Sequence, residues 1–126
     1  MNSQVQDWLE QAKAGFKSAQ DLLLTKNYYA AVSFSQQVAE KSLKAVYILL
    51  NDKLPPKIHD LVELSRLVSA PKYVFSASEN LTGTYFSSRY PGAAPEIPSK
   101  FYTLEKAKIH LHEAEEVIRW SKSMIQ

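Results

Sequence analysis

Two short stretches carry residue types that could do chemistry. His59-Asp60 follows a Pro-Pro pair, and Ser88-Arg89-Tyr90-Pro91-Gly92 follows the aromatic pair Tyr85-Phe86. An arginine among rings can hold a phosphate while a ring stacks on a base. The same arginine could instead pair with an acid such as Glu40 or Asp60 and tie its loop to the rest of the protein, since arginine serves both purposes. His59-Asp60 also reads two ways. At a helix start the pair would cap the helix and complement its dipole. Alternatively, a histidine at a helix N-terminus would face an anion that the free N–H groups attract. A third group, Ser33, Gln37, Glu40, Lys41 and Lys44, forms a narrow polar strip on a long apolar segment. Glu40 and Lys44 are four apart, as are Gln37 and Lys41, so each couple can pair along a helix. The strip is either a solvated face laced by such pairs or the floor of a groove in which Lys41 or Lys44 holds an anion.

Other chemistries find no support. His110 and His112 lie two apart, so on a helix they point in different directions and do not share a metal. No spacing in the chain suits a zinc site, and no metal or cofactor is expected. The sequence has no Walker loop, no glycine-rich dinucleotide turn and no serine nucleophile elbow. It has no cysteine, which removes disulfides, thiol catalysis and cysteine-held metals and suits an intracellular home. A net charge of +2 is too small to argue for nucleic acid by itself. No apolar run reaches the length of a membrane span, and the polar N-terminus has no signal-peptide core. The expected setting is the cytoplasm.

The elements that must position these residues read as helices. The 126 residues, 45% hydrophobic and 22% charged, suit one domain spanning 1–126 with a single core. A first helix is predicted from Ser3, with Gln6 completing a capping box. Its seam is Val5, Leu9, Ala12, Phe16, Ala19 and Leu23, and Gly15 beside it would let a neighbouring helix come close. Lys26-Asn27 is the turn, so the second helix, Tyr28 to Asn51, should run antiparallel to the first. Its apolar face is wide: Val32, Ala39, Leu43, Val46 and Leu50 in one stripe, Ala31, Val38, Ala45 and Leu49 in another. Such a helix is buried among several others. Pro55-Pro56 enforces a loop, and a third helix is expected over 58–68 with Leu61, Leu64, Leu67 and Val68 inward. From 72 to 88 a helical face of Tyr73, Ala77, Leu81 and Tyr85 is weakened by serines, threonines and Gly83. Residues 89–100 hold three prolines and a glycine and should be irregular. The last helix is expected from Thr103 to about Met124, with Leu104, Ala107, Leu111, Ala114, Ile118 and Ile125 as its seam. The fold class is all-α: an antiparallel up-and-down bundle of four to five helices.

Three of these pieces, in this order, resemble the HEPN domain (higher eukaryotes and prokaryotes nucleotide-binding). They are the run from Tyr28 through Gln36-Gln37-Val38-Ala39-Glu40-Lys41-Ser42-Leu43-Lys44-Ala45, then His59-Asp60-Leu61, then Ser88-Arg89-Tyr90-Pro91, with a terminal helix after them. The resemblance covers nearly the whole chain and implies a helical bundle that is frequently a homodimer. Many small prokaryotic members act with a minimal nucleotidyltransferase as a toxin–antitoxin pair. Some members are metal-independent ribonucleases, marked by an arginine followed four to six residues later by a histidine. This chain departs from that pattern: none of Arg66, Arg89 and Arg119 has a histidine at that spacing downstream. Lys53 stands at a suitable distance before His59, but lysine is not a planar, permanently charged fork. The resemblance therefore implies a nucleotide- or RNA-binding module without catalysis, its groove lined by Gln37, Glu40, Lys41, His59, Asp60, Arg89 and Tyr90. The alternatives are a ribonuclease using His59 and Arg89, or a dimerisation and docking scaffold without a ligand.

Overall fold

The second helix is the axis of the molecule. In the computed structural model, which describes residues 3–126, α1 (Ser3–Leu24) and α2 (Tyr28–Asn51) form a long antiparallel hairpin. α3 (Leu61–Leu67), α4 (Lys72–Thr82), α5 (Thr84–Ser87), α6 (Pro98–Phe101) and α7 (Leu104–Ile125) follow. α2 touches every one of the other six. Four long helices and the shorter α3 make the bundle, and α5 and α6 are single turns. There is no strand among the described residues.

The packing follows the seams. Val5, Leu9 and Ala12 of α1 meet Val38, Ala39, Leu43 and Val46 of α2, together with Leu61, Leu64, Val74, Leu81, Val117 and Ile118, all buried. A smaller cluster of Val32, Tyr102 and Ala107 closes the other end. Gly15 is buried where α1 crosses α2, and a Cβ there would lie 3.2 Å from Val38 Cγ2. The missing side chain thus permits the close approach expected of it.

The chain reverses between α1 and α2 at Lys26, whose φ of 65° is left-handed. Asn27 begins α2 without a side-chain cap; its amide instead donates to Thr25 Oγ1. α1 begins at Ser3, and the residue that would cap it lies outside the described ones. α3 starts at Leu61, three residues later than expected, because Asp60 is extended and serves as the cap. Several inward expectations are corrected: Leu50, Leu67, Tyr73 and Leu104 are exposed. The segment 72–87 is helical except for a break at Gly83, and α6 orders the end of the stretch expected to be irregular. Thr103 caps α7, its hydroxyl accepting from the Lys106 N–H at 3.3 Å.

Candidate functional site

Glu40, on the middle of α2, gathers the polar residues. Its Oε2 accepts from Lys44 Nζ at 2.9 Å, and its Oε1 accepts from Gln36 Nε2 at 3.1 Å. His59 Nδ1 lies 2.9 Å from the same Oε1. Burial raises the Glu40 pKa, but the bonds from Lys44, His59 and Gln36 outweigh it and hold the carboxyl below its ordinary value. An ionised carboxylate only accepts, so His59 Nδ1 carries the proton and donates. Its Nε2 is then left toward solvent, with no partner among the described residues, on a side chain that is 53% exposed.

Arg89 reaches this group from the other side. One guanidinium nitrogen donates to the Tyr85 carbonyl at 2.9 Å and another to Gln36 Oε1 at 3.2 Å. Gln36, fully buried, therefore links Arg89 to Glu40 through its two ends. The Tyr85 ring joins the two cationic candidates: His59 stacks on it at 4.3 Å and 16°, and the Arg89 guanidinium lies 4.2 Å from its centroid. Among the described residues no carboxylate lies within 4 Å of Arg89, so the arginine is positioned but not neutralised. Two of its five N–H donors are used inside the chain. The ion pair to Glu40 or Asp60 weighed from the sequence does not form.

The remaining candidates are spread out. Asp60 caps α3, its Oδ1 accepting from the N–H groups of Val62 and Glu63. The Leu61 N–H goes to Thr82 Oγ1 and the Leu64 N–H to the Asp60 carbonyl. All four leading N–H groups of α3 are thus satisfied internally, so His59 does not face an anion held by a free helix end. Among the described residues Lys41 bonds only Gln37, at 3.4 Å, and it lines a shallow depression with Asp7, Trp8 and Gln11 of α1. Gln37 and Lys41 therefore lie outside the Glu40 network. Tyr90 is half exposed, with its ring 6.3 Å from that of Phe86.

A groove of about 490 Å³ opens beside the network, lined by Ile58, His59, Asp60, Thr82, Gly83, Tyr85 and Phe86. A larger one, about 580 Å³, lies against α4 and α7 and carries Glu113 and Glu116 with Lys72. Two carboxylates suit a phosphate poorly, so the smaller groove is the candidate. Gln36, Thr82 and Gly83 had no place in the sequence-based set. The spacing Gln36-Glu40-Lys44 was the available signal for the first. No group of three or more acids and histidines that could hold a metal occurs among the described residues.

Residues 5–124 match the HEPN domain family. The fold is similar to that of TT1696 from Thermus thermophilus, at 29% identity and a TM-score of 0.89, covering 98% of this chain and 99% of that one. It is also similar to ST0689, described as an archaeal HEPN homologue, at 27% identity and a TM-score of 0.82, covering 97% and 98%. No curated protein matches the chain. On the match across nearly its full length, the chain belongs to the HEPN domain family.

Proposed function

We propose that this chain is a non-catalytic module that binds a phosphate of a nucleotide or of RNA, in the cytoplasm, beside a minimal nucleotidyltransferase in a toxin–antitoxin type system. One observation carries the binding reading: Arg89 is oriented by Gln36 and Tyr85, lacks a carboxylate among the described residues, and shares the Tyr85 ring with His59. A planar fork held in place with donors to spare is suited to a phosphate. The nucleotidyltransferase and a homodimeric state rest on the family alone.

The test is an amide NMR titration with ATP and then with a short single-stranded RNA. Saturable shifts at His59, Tyr85, Arg89 and Tyr90 are expected. Arg89→Ala should abolish them with the bundle still folded, since it removes the arginine partner of two acceptors, Gln36 Oε1 and the Tyr85 carbonyl, at a cost of about 1 to 3 kcal/mol. Absence of shifts at millimolar ligand, or a collapsed melting temperature in the variant, would turn the site into a structural tie. Light scattering at micromolar concentration checks the dimer.

One observation favours a second reading. Glu40 holds His59 in the tautomer that leaves Nε2 free to take a proton, and Arg89, on the same Tyr85 ring, can meet charge on a phosphate. That arrangement suits a metal-independent ribonuclease. Labelled RNA cut in EDTA by the native protein, and not by His59→Ala, would establish it.

A further inference from the structure

The groove walled by Tyr85 has unused hydrogen-bonding capacity along one side. Asp60 accepts both of its bonds at Oδ1, leaving Oδ2 without a partner among the described residues. Thr82 Oγ1 accepts from the Leu61 N–H at 3.0 Å, and its own proton has no acceptor among the described residues. Thr82 thus bonds the backbone of the residue after Asp60, and both side chains line the groove, so it holds a charged acceptor and a neutral donor. The rest of the lining is flat or apolar: Ile58, the stacked rings of His59 and Tyr85, and Phe86, which is 60% exposed. Above Gly83 there is open space, with nothing within 4 Å of where a Cβ would stand. Aromatic walls and a short polar edge are the features that hold a nucleobase by stacking and read its edge.

We propose that this groove is a base-binding subsite selective for guanine, with Asp60 as its specificity-determining residue; this rests on the reading of Arg89 as the phosphate contact. The guanine edge offers two adjacent donors, N1–H and the exocyclic N2–H, beside the O6 acceptor. Both donors converge on Asp60 Oδ2, the oxygen left open, and O6 accepts from the Thr82 hydroxyl. Adenine, cytosine and uracil each present only one donor-bearing ring position to a carboxylate. A carboxylate that gives up water to a base and is left half satisfied penalises them. Tyr85, against which Arg89 lies, is also a groove wall, so the base site and the phosphate contact share one side chain.

The test is a parallel NMR titration of the native chain with GMP, AMP, CMP, UMP, guanosine and inorganic phosphate. GMP should bind about tenfold more tightly than the other three monophosphates. Asp60→Asn keeps a good helix cap and should bring the four close to equal, leaving inorganic phosphate unaffected. Gly83→Leu, at an ordinary helical φ of −67° with open space above it, should block GMP and guanosine but not phosphate. Equal binding of all four monophosphates, or preference for AMP, overturns the subsite while leaving the phosphate reading intact. Binding of guanosine but not phosphate supports the subsite and overturns the role given to Arg89. No binding of any of the six overturns both.

Discussion

Among the described residues, two glutamate–histidine pairs are hydrogen-bonded at nearly equal length. Glu40 and His59 meet at 2.9 Å, and His110 and Glu113 meet at 2.7 Å. Their settings differ. The His59 side chain is 53% exposed and stacks face to face on Tyr85, whose ring also carries the Arg89 guanidinium. The His110 side chain is 18% exposed and meets Tyr102 edge-on at 73°. Burial pushes the Tyr102 phenol above its ordinary pKa despite its hydrogen bond with Ser87, so it stays neutral there. The first pair therefore points an imidazole at solvent beside a spare positive charge. The second lies along α7, largely enclosed, with its imidazole edge-on to Tyr102. A carboxylate–imidazole contact is no mark of a site; its accessible nitrogen and the charge next to it are.

The largest effect expected on this contrast comes from Glu40. Its side chain is 13% exposed and that of Lys44 is 6% exposed, so Glu40→Gln leaves a buried ammonium without its counter-charge and should cost about 3 kcal/mol at neutral pH. The pH dependence follows from the depressed folded-state pKa. A depressed carboxyl stabilises the fold above its unfolded pKa of about 4.3, and this contribution is lost as the pH falls through the folded value. Melting temperatures of native protein and Glu40→Gln should therefore converge on acidification from about pH 5 to about pH 3. A gap that stays constant over this range would show that Glu40 is not the anchor of the network.

Next comes the enclosed pair. His110→Ala removes the imidazole that meets a Glu113 side chain only 8% exposed, and should lower stability by about 2 to 3 kcal/mol in urea denaturation. It should leave every phosphate-induced NMR shift in place. His59→Ala should do the reverse. Its side chain is half exposed and Glu40 keeps Lys44 and Gln36, so stability should fall by less than about 1 kcal/mol. Nucleotide affinity should drop about tenfold. Were both variants to lose stability alike and binding alike, the distinction between the two pairs would be broken.

How much of this was legible in the chain differs between frame and site. The bounds of α2 were readable because its broad apolar face ends at Asn27 and at the Pro-Pro loop, and Gly15 was readable from its place beside a seam. The polar side of α2 was read one residue off. Gln36 and Gln37 are chemically the same, yet one step along a helix turns a side chain by about 100°. That step separates a fully buried glutamine linking Arg89 to Glu40 from one that meets only Lys41. Asp60 was recognised near a helix start, but its use as the cap moved that start from 58 to 61. Thr82 was invisible because its bond to the Leu61 N–H spans two helices, and periodicity reports only on neighbours within one.

The smallest effect tests the helix that both regions share. α4 supplies Thr82 to the groove near His59 and Lys72, Ser76 and Asn80 to the groove near Glu113. It is tied to α3 by a fully buried hydroxyl pair, Ser65 and Ser78, with oxygens 2.7 Å apart. Ser65→Ala strands the partner hydroxyl and should cost about 1 kcal/mol, as should Ser78→Ala. The double variant removes both polar atoms together, so its cost should be well below the sum of the singles. The same variants separate the two faces. α3 begins where Asp60 caps it, so loosening α3 against α4 should weaken GMP binding slightly while leaving the His110–Glu113 pair unchanged. Additive costs in the double variant would mean that apolar packing, and not this hydrogen bond, holds α3 in register with α4.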